Sequence, residues 1–424
     1  MNRLTIPLTF LLLSALVIVI PSCNGSDDEA TQPATQPTTE PTAIPEPVED
    51  VIITIGNLTD VTGPASTAME VIDTALDDLV NYFNEENIIP GVELKVITYD
   101  GQFDPSKDIP GYERLREEGA DLVFSAVPGT PVTLKARADK DQVMIFGVSG
   151  DPEELTPPGY VFNLGTLPRH EGLTLLKWIS ENDWDYETKG PARIGGAGWN
   201  DAYSGWWLDA MKDYAEAHPD QFDWVSGHLA SFGTFTWGPE VEALRDCDYL
   251  FVPGIMTNFV KEYRGAGYTG TFIGTYTHAA FFGQISDAGL WDEIDGMLLM
   301  ASSRWWNEEG EIIDLTKQLL YENHPDSAEE IIRSGVGYIA TVNLIQMLRI
   351  IENAVKTVGA QSFDSQALYD AAQSYTLTID GWDRYTFNET KRWATDLYAV
   401  YVVSPDDETI VRQHTEWIPV VVDP

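Results

Sequence analysis

Three short polar turns carry the residues best suited to chemistry. Asp60 and Thr62 lie in TDVTGP, Gly129 and Thr130 in PGTP, and Val148, Ser149 and Gly150 in VSGDP. Each turn follows an apolar run that reads as a strand, and a helical pattern comes after it. Hydroxyls and exposed amides at a helix start suit a carboxylate or another acceptor-rich group. The same residue types cap helices and close turns, so the pattern alone leaves both readings open. No GxSxG, HExxH, Walker loop or CxxC pair occurs. Gly195-Gly196-Ala197-Gly198 follows a strand but is out of register with GxGxxG. His170, His218, His228, His278, His324 and His414 are scattered without metal-ligand spacing. Two cysteines exclude a disulfide scaffold and a Cys-rich zinc site. The expectation is no enzyme, no cofactor and no metal.

The elements that must position these turns alternate. Val51–Leu58, Glu93–Tyr99, Ala120–Ala126 and Gln142–Val148 read as strands, with helical patterns between them. The pattern restarts after Thr166-Leu167-Pro168-Arg169. Ala192–Gly198, Trp224–Leu229, Tyr249–Pro253, Thr271–Tyr276 and Gly296–Ser302 are further strands. Ile312–Tyr321 and a long periodic stretch, Ile331–Val355, are helical. Leu397–Val403 is a strand and Trp417–Val422 is strand-like. Strands alternating with helices imply parallel sheets. The fold class is therefore α/β, with two doubly wound parallel-sheet blocks.

Residues 1–23, MNRLTIPLTFLLLSALVIVIPSC, begin with Arg3 and an apolar run of 17 residues, Leu4 to Ile20. With proline inside it, the run is marginal for a bilayer span and better suited to a signal peptide. Residues 24–50 contain five prolines and seven acids, with no Lys, Arg or aromatic residue. Such a segment reads as an extended tether. The whole chain has 25 basic and 67 acidic residues. Removing Arg3 and those seven acids leaves 24 and 60, a net −36, so the acidity belongs to the folded body. That surface repels phosphate backbones and anionic headgroups, which excludes nucleic acid as a partner.

The opening ITIGNLTDVTGPASTAMEVIDTALDDL resembles the first strand, loop and helix of type I periplasmic solute-binding proteins. The resemblance is to the branched-chain amino-acid and amide-binding class that serves ABC transporters. ADLVFSAVPGTPVTLKARADKDQVMIFGVSGDPEEL, FTWGPEVEALRDCDYLFVPGIMTNFVKEYRGAGYTGTFIG and VGYIATVNLIQML agree with it in order and spacing. Ile20-Pro21-Ser22-Cys23 resembles a lipobox, which implies cleavage before Cys23 and its lipidation. The resemblance further implies two lobes joined by a three-strand hinge. They comprise 51–165 with 301–392 and 166–300 with 393–424, behind a signal peptide (1–22) and a linker (23–50). It implies a monomer, anchored by lipid on the extracytoplasmic face of the cell membrane, that hands a small solute to ABC permease subunits.

Candidate ligand contacts follow: Asp60, Thr62, Gly129, Thr130, Val148, Ser149 and Gly150 from the first lobe. Tyr203 matches a position where the family often has a ligand-facing tyrosine. Met256, Tyr276 and Trp305 end later strands or follow a lobe crossing, where aromatic rings wall a cleft or pack in a core. Amino-acid binders of this class usually place an acid near Thr275–His278, and GTYTHAA has none. Either Asp60, Asp151 or Asp201 takes that part, or the solute lacks an ammonium group. The alternative function is a ligand-sensing receptor module working with a separate membrane signalling partner.

Overall fold

The computed structural model describes residues 50–231 and 233–424. The signal peptide and Cys23 lie outside these residues. The first sheet is built from β1 (Val51–Thr59), β2 (Val92–Asp100), β3 (Leu122–Ser125), β4 (Ile145–Gly147) and β5 (Val161–Asn163). Helices α1 (Ser66–Glu85), α2 (Asp108–Glu117) and α3 (Thr130–Asp141) connect the first four strands. The strand order is β2-β1-β3-β4-β5 and every pairing is parallel. Ile53, Ile55, Leu122, Val123 and Phe124 are fully buried. Helices on both faces explain why these strands read as continuous apolar runs. The order reverses between β1 and β3, and the crevice beyond their carboxyl ends is where such sheets bind ligands.

The second sheet repeats the plan. Helix α4 (Pro168–Asn182) and a single turn, α5 (Tyr186–Lys189), lead into β6 (Ala192–Trp199). Then come α6 (Ala202–Ala217), β7 (Phe222–Ala230), α7 (Gly238–Ala243), β8 (Tyr249–Phe251), α8 (Thr257–Gly265) and β9 (Thr271–Thr275). Short helices α9 (Tyr276–Ala279) and α10 (Phe282–Ala288) precede β10 (Leu298–Ala301). The parallel order is β7-β6-β8-β9-β10. The chain then returns through α11 (Glu311–Asn323), α12 (Ala328–Ser334), α13 (Thr341–Val358) and α14 (Ser365–Gln373). A hairpin, β11 (Thr376–Ile379) and β12 (Trp382–Thr386), follows. Strand β13 (Leu397–Ser404) pairs antiparallel with β10, and β14 (Thr409–Arg412) pairs antiparallel with β13 at the sheet edge. Residues 48–424 form one compact unit.

Three chain crossings run side by side between the sheets. The Asn163 amide donates to Arg392 O at 2.7 Å, and the Ala394 amide donates back to Asn163 O at 2.8 Å. The Thr395 hydroxyl donates to Gly165 O at 2.8 Å, and the Tyr385 hydroxyl to Ser302 O at 2.6 Å.

Two sequence expectations change, and two elements were not anticipated. The stretch 331–355 is not one helix. It breaks at Gly335, and α12 meets the following helical segment at 85°. The tail 417–422 contributes only Ile418–Pro419, paired with β13. The β11–β12 hairpin was readable from Asp380-Gly381, whose φ values of 55° and 81° are those of a tight Asp-Gly turn. Strand β5 is three residues long, too short for a periodicity signal. Among the described residues no single helix is long and apolar enough to cross a membrane.

Candidate functional site

A cleft of about 930 Å³ lies beyond the carboxyl ends of both sheets. The first sheet supplies the loops after β1, β2, β3 and β4. The second supplies those after β6, β8, β9 and β10, and the segment leading into α13 forms a third wall. Both sheets thus present their switch-point loops to one space, the arrangement expected for a shared ligand.

Six of the eleven expected contacts line it: Gly129, Thr130, Val148, Ser149, Tyr203 and Tyr276. Gly129 caps α3 at φ −83°, and a side chain added there would meet nothing within 4 Å. Thr130 is buried, and its hydroxyl donates to Asp108 Oδ1 at 3.0 Å. Burial pushes the Asp108 carboxyl upward, while that hydrogen bond opposes the shift. Ser149 is buried and its Oγ has no partner among the described residues. The Tyr203 hydroxyl is hydrogen-bonded to Thr275 Oγ1. The Tyr276 hydroxyl donates to Ser303 O at 3.1 Å, and its ring lies 5.4 Å from Trp305.

The other five point elsewhere. The buried Asp60 carboxylate accepts from the Gly63 and Ala65 amides, so it closes its own turn. The Thr62 hydroxyl donates to Asp100 Oδ2 at 2.6 Å. Gly150 is buried against Leu155 and Leu167. Met256 is buried in the core at the start of α8. The Trp305 indole donates to Thr409 Oγ1 at 2.8 Å, and its ring packs on Phe282. Asp151 accepts from the Glu153 amide at 2.8 Å and does not line the cleft. Asp201 does line it, but its carboxylate caps α6 through the Ser204 amide at 2.8 Å.

The cleft also presents groups that sequence reading missed. Glu171, in the first turn of α4, is among its lining residues yet only 2 % exposed. Burial pushes its carboxyl up to about 8, against the neighbouring Thr166 hydroxyl and Trp207 indole, which favour the charged form. One oxygen, Oε2, has no partner among the described residues. Phe103, Trp206 and Phe281 add aromatic walls. Six acids line the space: Asp104, Asp108, Glu154, Glu171, Asp201 and Asp209. Among the described residues no Lys, Arg or His does. No cluster of three or more His, Cys, Asp or Glu among them is placed to hold a metal ion. Cys247 is buried, which pushes its thiol up to about 12 and suppresses the nucleophilic thiolate.

Just behind the wall, His278 fixes the loop after β9. Its Nδ1 accepts from the Thr275 amide at 3.0 Å, and its Nε2 donates to Val252 O at 2.8 Å. The Thr275 bond needs the neutral ring, whose Nδ1 must accept, and burial holds the ring's pKa down to about 4. The stability supplied by this arrangement is therefore fully present above the unfolded value of about 6.5 and is lost as pH falls toward 4. His278→Ala should cost about 1–3 kcal/mol at pH 7.5 through the orphaned Thr275 amide and Val252 carbonyl. The cost should shrink as pH falls below about 6.5 and be smaller at pH 5. Urea denaturation at the two pH values checks this, and a pH-independent cost would exclude the neutral ring as the cause.

A family model described as periplasmic binding protein matches residues 52–408. Among solved structures, a branched-chain amino-acid ABC transporter protein from Thermus thermophilus with bound valine is similar at TM-score 0.73. The identity is 16 %, over 88 % of this chain and 97 % of that one. A fatty acid ABC transporter substrate-binding protein from Thermomonospora curvata is similar at TM-score 0.71 and 15 % identity, over 89 % and 98 %. A Rhodopseudomonas palustris HaA2 solute-binding protein in complex with p-hydroxybenzoic acid is similar at TM-score 0.70 and 11 % identity, over 87 % and 97 %. No curated protein sequence matches.

Proposed function

Because this chain belongs to the periplasmic binding protein family, a family of extracytoplasmic solute-binding proteins, we propose that it is the capture component of an ABC importer. Its two lobes, 51–165 with 301–392 and 166–300 with 393–424, close on a small solute about the three crossings. A solute shifts open toward closed only by its differential affinity for the closed form. The permease subunits then read the closed shape. A lipid on Cys23 and the 23–50 tether hold a monomeric body on the extracytoplasmic face of the membrane. The observation that carries the reading is the cleft itself, lined by the carboxyl-end loops of both sheets. The relatives named above bind valine and p-hydroxybenzoic acid, so one fold of this kind serves chemically different solutes.

The test is a thermal-shift screen of amino acids, amides, urea, small carboxylates, quaternary ammonium compounds, amines and aromatic acids. A solute at 100 times its dissociation constant adds about 2.7 kcal/mol of stability. Stabilisation confined to one chemical class is the expected result, and no stabilisation by any class contradicts solute capture. With the solute in hand, Thr130→Ala and Ser149→Ala should each weaken binding by about 0.5–3 kcal/mol with the fold intact. Unchanged affinity in both removes these two loops from the site.

A further inference from the structure

The cleft is chemically one-sided. Every charged group among its described lining residues is a carboxylic acid, and no base faces it. The lining also holds buried polar atoms without partners: Ser149 Oγ, Glu171 Oε2 and Asn343 Oδ1. All three can accept hydrogen bonds, Asn343 Oδ1 only accepts, and Glu171 Oε2 does so once the carboxyl is ionised. A buried acceptor left unmade is costly, and a solute donor entering the cleft would remove that cost. Where a solute carboxylate would have to sit, at the start of α3, the Thr130 hydroxyl is already given to Asp108 and position 131 is proline. Asp104 and Asp108 add negative charge at that end. Phe103, Trp206 and Phe281 supply apolar and aromatic faces suited to a cation on a hydrocarbon body.

We propose that Glu171 is the anchoring contact of the cleft and that the solute it receives is a protonated primary amine on an apolar or aromatic body. The inference rests on the solute-capture reading and names the solute class for that same site. The ammonium donates to Glu171 Oε2; Ser149 Oγ and Asn343 Oδ1 are further unpaired acceptors on residues lining the same cleft. In the empty cleft at neutral pH Glu171 holds its proton. An ammonium, whose own pKa is about 10, pairs with the carboxylate, and one proton leaves to solvent. The titratable groups facing Glu171 from other elements are the hydroxyls of Tyr203 on α6 and Tyr398 on β13, both raised well above their ordinary value and neutral. On its own helix, His170 is buried and held down to about 3, and it stays neutral too; Arg169 pairs with Asp213. None of these groups supplies or takes the proton near pH 7.

Calorimetric titration of the full chain in mild detergent tests this. The probes are phenethylamine, phenylacetamide and phenylacetate, and isopentylamine, isovaleramide and isovalerate, at pH 7 in two buffers of different ionisation heat. The expected result is amine binding at least tenfold tighter than its amide or carboxylate partner, with release approaching one proton per amine. Glu171→Gln should lose tenfold or more for the amines, leave the amides within threefold and abolish the proton release. Glu171→Asp, which keeps the charge but withdraws it by one methylene, should fall between. A carboxylate or amide bound as tightly as its amine, or amine affinity unchanged in Glu171→Gln, overturns the assignment while leaving solute capture standing. Absence of binding by every amine also overturns it. The broader thermal-shift screen then shows whether capture falls with it, since only a screen without any stabilising solute does that.

Discussion

Glu171→Gln will be more stable than the wild-type chain at pH 8, and the two will converge near pH 4.5. The carboxyl is 2 % exposed and burial lifts it from 4.5 to about 8. A folded-state value above the unfolded one means that the native protein holds the proton more tightly than the unfolded chain does. Between these values native protein binds more protons, so its stability falls as pH rises. Glutamine has no proton to lose and nearly the same volume, so it escapes the penalty. The difference between 4.5 and about 8 corresponds to a ceiling of roughly 5 kcal/mol, and about 3 kcal/mol at pH 8 is the expected gain. His278 and His170 give the wild type an opposite pH dependence at lower pH, but they are present in both proteins and cancel in the difference. Urea denaturation of the empty protein at pH 4.5, 6 and 8 measures it. A difference that stays flat with pH would mean that the carboxyl is solvated in the native state.

Gly335→Ala should remove roughly 4 kcal/mol of stability, from backbone strain and overpacking together. Gly335 has φ +121°, a conformation that costs an L residue energy in itself. A side chain there would also place its Cβ 1.7 Å from Ala279 O and 2.8 Å from Ala279 C, both backbone atoms of α9. The Gly335 amide closes α12 on Ile332 O at 3.1 Å, while its carbonyl accepts from the Trp306 indole at 2.8 Å. Two residues on, a Cβ on Gly337 would lie 2.8 Å from Val71 of α1. The bend between α12 and the segment entering α13 is thus held by contacts to both sheets' helices, and it sets Val336 and Ile339 in the cleft wall. Gly289→Ala is the control. Its φ is +62°, but its Cβ would meet nothing within 4 Å, so it should lose only about 1 kcal/mol. Equal losses in the two variants would contradict the clash and leave strain alone as the cause.

The same glycine shows where sequence reading runs out. Ile332, Ile339, Val342, Ile345 and Leu348 keep a helical spacing through Gly335. The break goes with close packing of Gly335 on Ala279 and of Gly337 on Val71, both on distant segments of the chain. The strands were legible because burial on both faces makes them continuous apolar runs, and their alternation with helices fixed the class. For the site, a turn after a strand told where a residue sits but not where it points. Thr130 and Ser149 face the cleft, whereas Asp60 and Gly150, in equivalent turns, face their own loops. Trp305 was ambiguous between wall and core, and its indole bond to Thr409, far along the chain, decided it. Glu171 was invisible because an acid in a helix's first turn ordinarily answers the helix dipole. Its surroundings include Tyr203 and Trp207 of α6 and Tyr398 of β13, all distant in sequence.

On this reading solute binds in the space between the two sheets. Gly129 offers the most direct test, because its φ of −83° suits any residue and its Cβ direction is open. Gly129→Trp should fold with wild-type stability while filling the cleft. The measurement is small-angle X-ray scattering of both proteins with and without the solute that gives the largest thermal shift. The prediction is a smaller radius of gyration on binding for the wild type, and neither contraction nor stabilisation for Gly129→Trp. A solute that stabilises and compacts Gly129→Trp as well as the wild type would place binding outside the cleft and contradict the account.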